Sequence, residues 1–157
     1  MTFQIHALPA ARFRPLFALP DKELLKARAT RMVVDSNPGF PCRVSLEEAD
    51  IGETVLLVNF QHQPSDSPYR SSHAIFVREN AEQANPGVGV VPGVLETRLI
   101  SIRAFDEQHF MLAADVVEGL RLTEVIPALL EDSRVAYLHL HNAKRGCFAA
   151  RVSRPSQ

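Results

Sequence analysis

Reactive side chains gather in two short stretches of this chain. One runs from Gln61-His62 to Tyr69-Arg70-Ser71-Ser72-His73, and the other from His139-Leu140-His141-Asn142 to Arg145-Gly146-Cys147. Together they hold four of the six histidines and one of the two cysteines. Imidazole, thiol, guanidinium and carboxamide groups all need hydrogen-bond partners when buried, so a chain that only had to fold gains little by crowding them. The crowding points to a site.

The chemistry on offer is of three kinds. His73, His139 and His141 are candidates for moving protons near neutral pH. Arg43, Arg70 and Arg145 each sit in a short loop beside a Cys or His, where a guanidinium fork can grip a carboxylate or phosphate at two points. Cys42, between Pro41 and Arg43, is a candidate nucleophile, with His62, His73 or His141 as its base and Asn142 to orient the ring; the plainer alternative is a cysteine buried as a small hydrophobe. His62, Asp66, Tyr69, Asn142 and Cys147 complete the set of expected ligand contacts. Pro64 and Pro68 stiffen the loop that carries Asp66, Tyr69 and Arg70. His139 and His141 also form a His-x-His pair on a strand, which can clamp a metal if His62, His73, Asp106 or Asp115 adds a third ligand. The pair alone names no metal and no cofactor.

The elements that must position these groups are mostly strands. Alternation of apolar and polar residues predicts strands over 3–8, 31–35, 54–61, 73–79, 97–105, 109–116, 135–142 and 147–153. In the strand over 135–142, Tyr137, His139 and His141 share one face, while Leu138 and Leu140 face the core. Ala143-Lys144-Arg145-Gly146 fits a hairpin turn with Gly146 at positive φ, which would set Phe148 and Ala150 beside the histidines. Helices are expected over 22–28, capped by Asp21, and from a Thr123 cap to Glu131. The Gly-, Pro- and Asn-rich segment 80–93 reads as a loop or lid. No βαβ unit recurs. The expected fold is a single α+β domain over 1–157, with a mostly antiparallel or mixed sheet of about six to seven strands and two or three short helices.

The whole-chain balance narrows the partners. The 17 basic and 18 acidic residues leave a net charge of −1, which gives no reason to expect nucleic acid or an anionic membrane. The longest aliphatic run, Val55-Leu56-Leu57-Val58, is far short of the ~20 residues that span a bilayer. Pro9, Arg12, Arg14 and Pro15 interrupt the stretch where a secretory signal would be apolar. These features predict a soluble, cytoplasmic protein in which Cys42 and Cys147 are reduced.

The same segments resemble a bacterial family catalogued as a domain of unknown function, DUF1203. The resemblance lies in Gly39-Phe40-Pro41-Cys42-Arg43-Val44-Ser45-Leu46, in Gln63-Pro64 through Pro68-Tyr69-Arg70, and in Ser72-His73-Ala74-Ile75-Phe76-Val77-Arg78-Glu79. It continues in Ala136-Tyr137-Leu138-His139 and in His141-Asn142-Ala143 through Gly146-Cys147. It implies membership and transfers no residue role. The expected function is therefore read from the residues: a small-molecule binder or small enzyme that takes an anionic ligand in a His/Arg/Cys pocket. One alternative is a protein-interaction module or homodimer using Tyr69, Tyr137 and the arginines. The other is a metal-binding protein using His139 and His141.

Overall fold

The computed structural model describes residues 2–156. It has eight strands in two sheets: β1 (Gln4–His6), β2 (Ala29–Val33), β3 (Thr54–Gln63), β4 (Ser71–Arg78), β5 (Leu99–Phe105), β6 (Met111–Glu118), β7 (Tyr137–Asn142) and β8 (Phe148–Ser153). The helices are α1 (Arg14–Phe17), α2 (Asp21–Lys26), α3 (Gly93–Glu96) and α4 (Leu122–Leu130), with 3-10 turns at Ala10–Arg12 and Gly119–Arg121. The α+β class is as expected; the single sheet of six to seven strands is not. A five-stranded sheet runs β1-β8-β7-β5-β6 and a three-stranded sheet runs β2-β3-β4. All these pairings are antiparallel. Period-two patterning marks a strand without saying which sheet it joins, and that is why the two sheets merged in the sequence reading.

Edge strand β6 is mostly exposed, but around β7 the five-stranded sheet buries both faces. On one, Ile100, Ile102, Leu138, Leu140, Ala150 and Val152 pack under Leu122, Ile126 and Leu130 of α4. On the other, Phe148 meets Phe60 of the three-stranded sheet at 5.7 Å between ring centres. The faces of β7 divide as the alternation requires, yet all six of its residues are buried because the histidine face lies against the second sheet. Phe148 does stand opposite His141, but a bulge at Ala149 pairs Ala150 with Leu140 and sends it to the apolar core, against expectation.

Local chemistry explains several boundaries. Gly146 takes φ of 78°, closing the β7–β8 hairpin with Gly146 N–H donating to Asn142 O at 2.7 Å. Asp21 and Thr123 are each inside their helix rather than capping it: Pro20 and Arg121 hold the cap positions, without a side-chain cap bond. Gly119 N–H donates to Arg98 O at 2.8 Å, and a Cβ on Gly119 would lie 1.9 Å from Leu95 O. That close approach fixes the end of α3 and the start of β5. Of segment 80–93 only Gly93 belongs to a regular element, as the first residue of α3, yet Ala84 N–H donates to Val44 O at 2.8 Å and Gly89 N–H to Phe3 O at 2.8 Å. It is a fastened loop. No helix among the described residues is long and apolar enough to cross a membrane.

Candidate functional site

A cleft of about 390 Å³ opens where the Cys42-Arg43 loop, β4, the start of β5 and the β7–β8 hairpin meet. Its polar wall carries Arg43, His73, Arg98, Asn142, Lys144, Arg145 and Cys147; Pro41, Leu57, Ala74, Phe76 and Leu99 supply apolar surface. No Asp or Glu lines it among the described residues. Five expected site residues are thus brought together across the sequence: Arg43, His73, Asn142, Arg145 and Cys147.

Their side chains do different work. Lys144 and Arg145 are exposed on the hairpin and have no ion pair among the described residues. Arg98 is shared with Glu48 and donates to Val94 O at 2.7 Å, which holds its guanidinium in place. Arg43 is only 2% exposed and is spent internally: Nε donates to Phe148 O at 2.7 Å and Nη2 to Cys147 Sγ at 3.0 Å. It therefore shapes the wall and is not a free anion fork, a correction to its expected role. Asn142 Nδ2 also approaches Cys147 Sγ, at 3.6 Å, leaving Asn142 Oδ1 buried without a partner. His73 Nδ1 donates to Ala74 O at 3.0 Å, so its Nε2 carries the free lone pair.

A second cluster lies between the sheets. His62 of β3 stacks on Phe148 at 5.7 Å and meets His141 edge-on at 4.8 Å between ring centres. His139 and His141 stand 6.3 Å apart on β7. Burial is the main cause that pushes all three imidazoles toward the neutral form, His139 and His141 down to about 3 and His62 to about 4. Arg103 acts in the same direction on all three, whereas the Gly146 carbonyl bonded to His141 opposes it. These rings are neutral at pH 7. Their face of β7 is closed against the second sheet.

The remaining expected residues lie elsewhere. Cys42 is 1% exposed in the apolar core with Phe60 and Ile75, and its Sγ accepts from Ser45 N–H and Arg78 N–H, both at 3.4 Å. It behaves as the buried small hydrophobe, with no imidazole among its hydrogen-bond partners. Asp66, Tyr69 and Arg70 sit on the β3–β4 loop outside the cleft; Tyr69 packs its ring 6.0 Å from Phe105 and 5.9 Å from Phe110, and Asp66 and Arg70 are exposed. Arg43, Arg70 and Arg145 therefore do not form one anion-binding trio. Asp106 accepts from Gln108 N–H and Phe110 N–H in a turn, and Asp115 from its neighbour Val116 N–H. The sequence reading missed Arg98 and Lys144. Lys144 adjoins Arg145 and was legible as a second charge at the hairpin tip; Arg98 depends on the α3 packing and left no local signal.

A family description reading "Protein of unknown function (DUF1203)" matches residues 39–154, most of the chain and every residue of the cleft wall. Comparison with curated proteins and with solved structures finds no match.

Proposed function

The chain belongs to the DUF1203 family, and from the cleft itself we propose that it binds a small organic anion, a carboxylate or phosphate carried on an apolar body. The observation behind this reading is the composition of the cleft: unpaired Lys144 and Arg145 beside the Glu48-paired Arg98, apolar surface from Leu57, Phe76 and Leu99, and no acidic lining among the described residues. Guanidinium and ammonium donors favour an anion, and the apolar surface favours a ligand that is not inorganic. His73, whose Nδ1 is held by Ala74 O, lines the same cleft and adds a further acceptor or proton carrier.

Calorimetric titration with phenyl phosphate, phenol and inorganic phosphate tests the reading. Phenyl phosphate should bind at one per chain and more tightly than either fragment. A Lys144→Gln/Arg145→Gln double variant should weaken it roughly 10–100-fold, the loss of a charge-assisted contact. A Lys22→Gln/Lys26→Gln control removes the same charge from α2 and should leave binding nearly unchanged. Equal losses in both variants, or phenol binding as well as its phosphate, would overturn the proposal.

A further inference from the structure

His62, His139 and His141 have no place in the anion cleft. Each offers one ring nitrogen, and the three nitrogens lie within 4.8 Å of one another. Each ring also carries a buried nitrogen without a hydrogen-bond partner: Nδ1 of His62, Nδ1 of His139 and Nε2 of His141. His139 is 4% exposed and His141 is 1% exposed. Three orphaned imidazole nitrogens on facing strands are a cost that folding alone does not explain, because the surrounding Phe148 and Phe105 rings offer them nothing.

We propose that His62, His139 and His141 form a three-imidazole site for a divalent transition ion of the zinc class, completed by an anionic fourth ligand. Imidazole suits such ions, and three protein ligands with one open position is the pattern of reactive rather than purely structural zinc. His141 is already oriented: its Nδ1 donates to Gly146 O at 3.0 Å, which fixes the tautomer and leaves Nε2 as the lone-pair nitrogen. Burial keeps the rings neutral, so the ion displaces no proton from them at pH 7. Two nitrogens on one zinc are at most about 4.2 Å apart, twice a bond of about 2.1 Å. Loading therefore draws the widest pair inward, a ring rotation on strands that stay in place. No carboxylate belongs to the set, so the bound ion keeps its double charge. Arg103, opposite His139 on β5, adds positive charge beside it. Both favour hydroxide or another anion in the fourth position.

The test is zinc titration of chelator-stripped protein, followed by calorimetry. Wild type should bind one zinc per chain. His62→Ala, on the half-buried member, and His141→Gln should each lower the affinity more than about 100-fold, beyond the usual effect of losing an outer-shell partner. His6→Gln, on β1, should not. Should either ligand variant fail to fold, nitrogen-15 spectra of wild-type histidines decide alone: zinc should shift His141 Nε2 strongly and leave its Nδ1 protonated. Cobalt in place of zinc should give the intense visible bands of a four-coordinate ion. The proposal falls if zinc binding is unsaturable, if it survives His62→Ala and His141→Gln, or if zinc leaves His141 Nε2 unshifted; a bridging water would then satisfy the three nitrogens.

Discussion

Acid should destabilise this protein well before its carboxylates titrate. His139 and His141, ordinarily near 6.5, are pushed down to about 3 in the fold, chiefly by burial. Below pH 6.5 the unfolded chain takes up protons that the folded chain refuses, so stability rises with pH through this window and is fully present above it. Between pH 7 and pH 5, one imidazole with such a shift removes about 2 kcal/mol, and the two together at most about 4. That is a large part of a typical 5–15 kcal/mol. His62 and His6, both lowered but more exposed, act in the same direction. Glu53 and Asp132 are also lowered, from 4.5 and 3.8, and as acids they lose their stabilising effect only below those values. Between pH 7 and pH 5 the imidazoles therefore act alone, and the carboxylates join them only below about 4.5. Urea unfolding at pH 7, 6 and 5 with chelator present should show a falling midpoint at constant slope. A midpoint that does not move between pH 7 and pH 5 would mean that the inter-sheet imidazoles are wet and protonate freely in the fold.

Leu138→Ala removes a fully buried side chain from the main core and should cost about 2–5 kcal/mol in urea unfolding; a cost below 1 kcal/mol would place Leu138 on the wrong face. Gly119→Ala sets a Cβ against Leu95 O and the Glu96 backbone, so a loss at or above the usual 1–3 kcal/mol of overpacking is expected, read by thermal unfolding. A neutral result would show that the junction of α3 and β6 yields. Cys42 and Cys147 are both free and buried, so Ellman's reagent should titrate two thiols after denaturation and far fewer, on the same timescale, in the native protein.

Legibility differed by the kind of constraint. The face division of β7 came from alternation alone, because Tyr137, His139 and His141 must lie opposite Leu138 and Leu140 in any extended strand. What covers the histidine face could not be read that way. A polar row against a second sheet has the same pattern as one against water, and only the packing of His62 and Phe60 on Phe148 distinguishes them. Arg43 shows the same gap for charge: a loop arginine reads as exposed, whereas here the Phe148 carbonyl and Cys147 Sγ hold it inside. The convergence of His73 with Asn142, Arg145 and Cys147 was legible as a polar crowd, since all lie at strand ends near turns. Asp66, Tyr69 and Arg70 belonged to the same crowd in sequence, but the loop that holds them leads away to Phe105 and Phe110.

The anion-binding cleft is tested most directly by amide-shift mapping of nitrogen-15-labelled protein titrated with phenyl phosphate. Saturable shifts should concentrate at His73, at Arg98 and on the hairpin at Asn142 and Arg145, three places far apart in sequence that share the cleft. Shifts confined to exposed Arg70 and its loop, or scattered over surface arginines without saturation, would contradict an anion site there.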